Sequence, residues 1–176
     1  MTVFREKREA RSRELLRERA LKIAGARSLV SLTEPFALFR RSHQLFGIPL
    51  TSLRFSWRAD RMMEVPGAQG FIMGAVTADA ALITVVDLVA LYGLPMTGIA
   101  DLKGVLVVES SSRRLGLACD AVLGAQPVET ESILPLPTPL GAFVRSARFR
   151  GESVQLIEIP ILFQHAKLNP VRSRGR

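Results

Sequence analysis

The chain after Gly25 is a series of short β-rich segments separated by turn residues, and this pattern restricts the possible folds most strongly. Runs rich in Val, Ile, Leu and Phe alternate with small polar clusters, as strands and hairpins do. The predicted strands are Phe36–Arg40, Leu45–Trp57, Phe71–Val76, Leu82–Val86, Gly104–Glu109, Leu115–Val122, Phe143–Phe149 and Val154–Ile159. The predicted hairpin connections are Ser42-His43-Gln44, Ser110–Arg113 and Arg150-Gly151-Glu152. The regular spacing predicts an all-β protein, built as a small barrel or a pair of barrels.

Two short helices and one proline-rich stretch interrupt this pattern. The first helix is predicted from an N-cap at Asp87 to Tyr92, with Gly93 as its C-cap. The second begins at Pro160, in a first-turn position, and stops before Asn169-Pro170. Pro135, Pro137 and Pro139 predict an extended, rigid connector, which we interpret as a loop inside the domain rather than a ligand for a proline-reading domain.

A basic amphipathic helix is predicted before the β-rich part, from about Arg5 to Ala24. Its apolar face contains Leu16, Ala20 and Ile23, with Leu15 beside it. Such a narrow stripe either packs on its own domain or docks a partner, and the pattern does not separate the two. We therefore divide the chain into a helical segment (1–27), a β domain (28–166) and a basic flexible tail (167–176), and expect the β domain to fold without the helix.

The net charge of +8 is concentrated in the two arms. Residues 1–27 carry nine Lys and Arg against four Glu, residues 167–176 carry four basic residues and no acid, and the 139 residues between them sum to −1. A nearly neutral domain argues against a nucleic-acid-binding face on the fold. The arms leave one alternative function open, which is binding of nucleic acid or an anionic membrane surface.

The sequence contains no pattern typical of secretion or of membrane spanning. Cys119 is the single cysteine, the first residues have no apolar signal region, and the longest apolar stretch, residues 80–86, is far too short for a transmembrane helix. We expect a reducing, cytoplasmic setting.

Residues that carry chemistry are few and scattered. His43, His165 and Cys119 have no metal-ligand spacing, and we interpret Cys119 as a core residue and His43 as an exposed turn residue. His165 could pair with the last carbonyls of its helix. The acids Asp87, Asp120 and Glu158 each follow an apolar strand, where capping explains them better than acid–base catalysis. We predict no catalytic residue, no metal and no cofactor, so an adaptor is favoured over an enzyme.

Several apolar blocks occur in an order and spacing that resembles the CheW family, the coupling proteins of bacterial chemoreceptor arrays. The resemblance runs from about Phe36 to Phe163 and rests on the following segments: Val65-Pro66, Gly74, Leu82–Leu88, Gly104–Glu109, Leu115–Gly124 and Leu156–Ile159. It implies two intertwined SH3-like five-stranded barrels around a shared hydrophobic core. It also implies a scaffold that joins a CheA-type histidine kinase to the cytoplasmic tips of methyl-accepting receptors. We expect other coupling proteins as further partners and no nucleic acid.

One segment departs from the family pattern where the resemblance places the receptor-facing surface. The family usually carries Asn-Leu-Arg-Gly there, and this chain has Thr77-Ala78-Asp79-Ala80. A forked guanidinium is thus replaced by a carboxylate, and Ala80 adds a β-carbon that disfavours positive φ. The family's Pro corresponds to Thr84, and its Glu in the second strand aligns near Phe55. We therefore expect one of two outcomes. Either receptor recognition is altered through Thr77, Ala78, Asp79, Ala80 and Phe55, or the protein has a side role in the array and binds the kinase or other coupling proteins without standard receptor docking.

Overall fold

The computed structural model describes residues 33–97, 101–129, 134–137 and 143–168, and these residues are mostly β. The strands are β1 Thr33–Arg41, β2 Gln44–Pro49, β3 Leu53–Arg58, β4 Ile72–Ala78, β5 Ala81–Val86, β6 Gly104–Ser110, β7 Arg113–Cys119, β8 Ala121–Glu129, β9 Leu134–Pro137, β10 Phe143–Phe149 and β11 Glu152–Leu156. The α-helices are α1 Leu88–Tyr92 and α2 Ile159–Gln164. Single turns of 3-10 helix lie at Leu50–Ser52, Ala59–Arg61 and Ala166–Leu168.

The strands form two sheets whose chain paths are interleaved. The six-stranded sheet has the order β8-β1-β2-β11-β10-β9, and the five-stranded sheet has the order β3-β6-β7-β5-β4. The chain starts the first sheet with β1 and β2, builds the whole second sheet, and returns to complete the first. This confirms the predicted all-β class of two intertwined barrels, with one addition: β9 pairs with β10 as a sixth strand of the first sheet.

Strand alternation divides the apolar side chains among three clusters. Phe36 and Leu38 lie in a cluster inside the six-stranded sheet, and Val105 and Val107 lie in one inside the five-stranded sheet. The opposite faces of both sheets meet in a third cluster, together with the buried residues of α1 and α2. Phe39 belongs to this third cluster, where complete burial of such a ring stabilises the fold by roughly 1.5–3 kcal/mol. The expected shared hydrophobic core is therefore present.

Both short helices predicted within the β-rich part are present, with the predicted signals at their ends. Asp87 caps α1, because its Oδ1 accepts hydrogen bonds from the backbone N–H groups of Val89 at 2.9 Å and Ala90 at 3.4 Å. Gly93 ends α1 in the left-handed conformation, with a φ of 64°. Pro160 lies in the first turn of α2, where its missing N–H costs nothing.

Three predicted strands had wrong limits because β-rich composition continues across changes of direction. The predicted strand Leu45–Trp57 is two strands in different sheets, separated after Pro49 by a 3-10 turn. The predicted strand Leu115–Val122 is broken at Asp120, where β7 of one sheet passes into β8 of the other. The predicted strand Val154–Ile159 ends at Leu156, since Ile159 already belongs to α2.

Each predicted hairpin connection is a two-residue turn in the left-handed conformation, and a fourth turn of the same kind joins β4 to β5. The φ angles in degrees are 46 and 64 at Ser42–His43, 50 and 57 at Asp79–Ala80, 48 and 66 at Ser111–Ser112, and 51 and 84 at Arg150–Gly151. Positive φ at both positions matches the twist of paired strands, which is why such turns usually contain glycine. Only one of these eight positions is glycine.

Cys119 and both histidines lie within the described residues. Cys119 is a core residue, as predicted, and its burial raises the pKa of its thiol to about 11. His43 is exposed, whereas His165 is buried and its Nδ1 accepts a hydrogen bond from the backbone N–H of Lys167 at 3.3 Å. The predicted N-terminal helix lies outside the described residues. Neither described helix has the length and apolar character needed to cross a membrane.

Candidate interaction surface

Two hairpin turns meet at one end of the five-stranded sheet. Strands β5 and β7 are parallel neighbours, with Val85 opposite Gly116. Strand β5 starts four residues before this pair, at Ala81, and β7 starts three residues before it, at Arg113, so the turn Asp79–Ala80 lies beside the turn Ser111–Ser112. We call this end of the sheet, with the side chains around the two turns, the turn end.

Four charged side chains cross the turn end in alternating sign, and we call them the charge ladder. Asp79 Oδ2 lies 2.9 Å from Arg114 Nη1, and Arg114 Nε lies 2.8 Å from Glu109 Oε2. The other carboxylate oxygen of Glu109, Oε1, accepts a hydrogen bond from Arg54 Nη2. Hydrogen bonds from Arg114 and Arg54 lower the pKa of Glu109, and those from Arg114 to Glu109 and Asp79 raise the pKa of Arg114. The charges of the ladder compensate one another.

The charge ladder borders an open groove of about 580 Å³. Asp79, Glu109 and Arg114 line it together with aliphatic residues of β5. Among these, Leu82 is 68 % exposed, which is unusual for a leucine that is part of a sheet. The Asp79 side chain is 70 % exposed and that of Arg114 is 31 % exposed. The groove therefore presents one aliphatic and several charged groups to solvent.

In the turn between β4 and β5, the backbone conformation of Ala80 differs from the one expected from the sequence. The sequence suggested that its β-carbon would disfavour a positive φ, but the φ angles are 50° at Asp79 and 57° at Ala80. A non-glycine residue in this region costs roughly 1–2 kcal/mol. Asp tolerates it better than Ala, and the Asp79 carboxylate is in addition held by Arg114. The turn is thus strained at Ala80.

The other residues predicted for this surface lie on both sides of the five-stranded sheet. Thr77 is exposed on β4, whereas Ala78 is buried in the cluster inside the sheet. Phe55 lies on β3, at the opposite edge of the sheet, and packs against that same cluster with its ring edge-on to Trp57 at 5.9 Å. Arg54 and Arg58 are exposed on the other face of β3. The helix residues Leu15, Leu16, Ala20 and Ile23 lie outside the described residues.

A second, smaller groove of about 260 Å³ lies between the five-stranded sheet and α2. Thr84, for which the resemblance implies a Pro in the family, lines this groove. Two cationic side chains pack against aromatic rings in its wall. The Arg113 guanidinium lies 5.1 Å from the centre of the Phe163 ring, and Lys167 Nζ lies 5.7 Å from the centre of the Phe71 ring. Lys167, which the sequence assigned to the tail, also donates a hydrogen bond to a backbone carbonyl of α1 at 3.2 Å.

A buried ion cluster, centred on Arg41, joins the two sheets. The Nε and Nη2 of Arg41 lie 2.9 and 2.7 Å from Asp87 Oδ2, and its Nη1 lies 2.6 Å from Asp120 Oδ1. Asp120 Oδ2 also accepts a hydrogen bond from the backbone N–H of Ser42 at 2.7 Å. The side chains of Arg41 and Asp87 are only 3 % and 2 % exposed. Burial opposes the charge of Arg41, but the hydrogen bonds and charges of Asp87 and Asp120 outweigh it and raise the pKa of Arg41.

This cluster explains two of the three acids that the sequence singled out. Asp87 and Asp120 do come together, around an arginine that donates hydrogen bonds to both of them. Glu158 is elsewhere, in an ion pair with Arg145 at 2.8 Å. Sequence reasoning missed Arg41, although an arginine directly before a tight turn and after a strand of apolar residues was a weak signal. In the part of the chain that the structure describes, no group of three or more His, Cys, Asp or Glu is arranged to hold a metal ion.

Comparison with known proteins agrees with this architecture. Residues 35–167 match the family described as CheW-like domain. The protein PilI of Pseudomonas aeruginosa is 27 % identical over 131 residues, which are 72 % of this chain and 74 % of PilI. The crystal structure of the scaffolding protein TtCheW from Thermoanaerobacter tengcongensis superposes with a TM-score of 0.63 and 24 % identity, over 76 % of this chain and 94 % of that one. Because the family match spans both barrels, the chain belongs to the CheW-like family of coupling and scaffold proteins.

Proposed function

We propose that this protein is a non-catalytic scaffold that couples chemoreceptor tips to a CheA-type histidine kinase. The observation that carries the proposal is the CheW-like match over both barrels and the core they share. A rigid pair of barrels holds separate surfaces at fixed positions, which is what a coupling protein needs. Binding to other coupling proteins through the same scaffold is part of this proposal.

Receptor recognition through the turn end is the finer part of the proposal. In the family pattern, the receptor-facing arginine corresponds to position 79, where this chain has an aspartate bound to Arg114. The exposed Leu82 and the open groove beside it support a protein-binding role for this end. Recognition is altered because the cation now lies on β7 rather than in the β4–β5 turn.

Binding assays with purified components test the coupling function. The full chain is mixed with the regulatory domain of a CheA-type kinase and with a receptor signalling-tip fragment, both encoded in the same genome. We expect separate binding of each and a ternary complex of all three, measured by calorimetry and size-exclusion chromatography. Failure to bind either component would contradict the proposal.

Salt dependence separates this function from the alternative in which the basic arms hold nucleic acid or anionic membrane. Arm-driven binding to phosphates falls by orders of magnitude between about 50 and 200 mM salt, whereas binding through a barrel surface whose charges are paired with one another loses much less. Binding to the kinase domain and binding to the receptor fragment are therefore measured at both salt concentrations, with duplex DNA and anionic vesicles as competitors. Steeply salt-dependent binding to DNA or vesicles, with no kinase binding, would establish the alternative.

The absence of catalysis and the cellular position are also parts of the proposal. We expect no hydrolase, transferase or redox turnover, and an activity abolished by a single substitution would contradict this. A fluorescent fusion is expected at the membrane-anchored receptor arrays on their cytoplasmic side. Deleting the receptors should disperse it.

A further inference from the structure

Arg114 has hydrogen-bonding capacity that the charge ladder does not use. Its Nε is held by Glu109 and its Nη1 by Asp79. No residue within the described ranges accepts a hydrogen bond from its Nη2, although the side chain borders the 580 Å³ groove. The outer edge of a guanidinium, formed by Nη1 and Nη2, is one of the two edges that can bind a carboxylate through two parallel hydrogen bonds.

Glu109 fixes this guanidinium in place. It pairs with Arg114 across the β6–β7 hairpin, where the two residues are opposite each other in register. Arg54 holds the second oxygen of Glu109, so the carboxylate is restrained from both sides. An arginine restrained through Nε loses little further freedom when its outer edge binds a ligand, and such preorganisation favours affinity.

Asp79, in contrast, is held weakly. It reaches Arg114 through one oxygen only, from a strained turn, and its side chain is 70 % exposed. When Arg114 binds another carboxylate, Asp79 can turn into solvent with little loss, because it is already mostly hydrated. An external carboxylate that uses both Nη1 and Nη2 replaces one hydrogen bond by two.

We propose that Arg114 is the specificity-determining residue of the turn end, and that it binds a carboxylate of the partner in place of Asp79. The partner segment carries an Asp or Glu beside an aliphatic side chain, which contacts the exposed Leu82 along the same groove. Asp79 acts as a built-in competitor that weakens this binding. The inference rests on the proposed function, under which the segment belongs to the receptor tip.

Binding of a receptor signalling-tip fragment to four chains tests this inference: the native chain, Arg114→Gln, Arg114→Lys and Asp79→Asn. We expect the affinity to fall about tenfold or more in Arg114→Gln, the scale of hydrogen bonds to charged groups. Arg114→Lys should lose almost as much, because an ammonium group has no fork. Asp79→Asn should bind several-fold more tightly, since the competing carboxylate is removed.

Two controls make the result specific. Arg58→Gln removes an exposed arginine of the same sheet at its opposite end, where Arg58 pairs with Gly104, and should leave the affinity unchanged. A tip fragment with its Asp and Glu residues changed to Asn and Gln should bind weakly to the native chain and respond no further to Arg114→Gln. Circular dichroism confirms that each variant is folded.

The outcomes separate this inference from the function on which it rests. Equal affinities of native chain, Arg114→Gln and Arg58→Gln would overturn the inference and leave the coupling function intact. Weaker binding by Asp79→Asn would also overturn it, since Asp79 would then meet a cation of the partner. If the native chain and every variant fail to bind the tip fragment, receptor coupling fails and the inference fails with it.

Discussion

The buried ion cluster and the charge ladder each place one guanidinium between two carboxylates. In the cluster, Arg41 lies between Asp87 and Asp120; in the ladder, Arg114 lies between Glu109 and Asp79. The chemistry is the same, but the Arg41 side chain is 3 % exposed and that of Arg114 is 31 % exposed. The cluster joins the ends of strands in two different sheets, whereas the ladder lies along one end of a single sheet.

This difference in burial separates an architectural role from a recognition role. A buried charge that loses its partner has no water to replace it, so the contacts around Arg41 cannot exchange without opening the fold. The contacts around Arg114 can exchange with water or with another carboxylate at low cost. The first arginine therefore fixes how the barrels join, and the second is available to a partner.

Replacing each arginine by methionine gives the largest expected effect. Arg41→Met leaves Asp87 buried without a counter-charge, and we expect a loss of about 3–5 kcal/mol in the free energy of unfolding. Arg114→Met should leave the denaturation midpoint almost unchanged. Urea denaturation of both variants measures this, and similar losses in the two would show that burial does not distinguish the sites.

The carboxylates allow a second comparison. Asp87→Ala removes both the buried partner of Arg41 and the N-cap of α1, so we expect a loss of about 2–4 kcal/mol. Asp79→Ala, matched in chemistry but exposed, should change stability little. Thermal unfolding followed by calorimetry is suitable, and a large loss in Asp79→Ala would mean that the ladder is also architectural.

The turn that carries Asp79 offers a stabilising substitution. Ala80→Gly should raise the free energy of unfolding by about 0.5–1 kcal/mol, because glycine adopts a φ of 57° without strain. The control, Ala81→Gly, lies one residue further in β5 and should instead lower stability, since a strand glycine costs about 0.5–1 kcal/mol. Equal effects of the two would contradict the strain at Ala80.

The smallest expected effect is on the titration of Glu109. Its pKa is lowered by hydrogen bonds from Arg114 and Arg54, so its pairing stabilises the fold above the ordinary pKa of 4.5 and is lost as the pH falls through the lowered value. Arg114→Gln should raise this pKa toward 4.5. An NMR titration of the Glu109 carboxyl carbon measures it, and an unchanged pKa would show that the pair is not formed in solution.

Much of the fold could be predicted from local sequence patterns, and the structure confirms these predictions. The β-rich runs, the turn clusters, the Asp87 cap and Gly93 depend on neighbours a few residues away. The breaks after Pro49 and at Asp120 were missed because they mark a change of sheet, which leaves the apolar composition of the run unaltered.

Local patterns could not predict the two charged sites, because the residues that pair in them are distant in the chain. Arg41 meets Asp87 and Asp120 across 46 and 79 residues, and Arg114 meets Asp79 across 35. These meetings depend on the parallel register of β5 with β7 and on the return of the chain to the first sheet. The resemblance drew attention to Asp79, but it contained nothing that connects this residue to Arg114.

The interleaved path of the chain fixes the order in which the protein can be completed during synthesis. Of the described strands, β1 and β2 leave the ribosome first, yet β8 and β11, which pair with them on either side, are made only as residues 121–129 and 152–156 emerge. Until then the first hairpin has two open edges and exposed phenylalanines, a combination that favours aggregation. The five strands of the second sheet are consecutive in the chain and can assemble in this interval. A chain that ends before β11 would therefore have one complete sheet and an unpaired edge at β2 of the other.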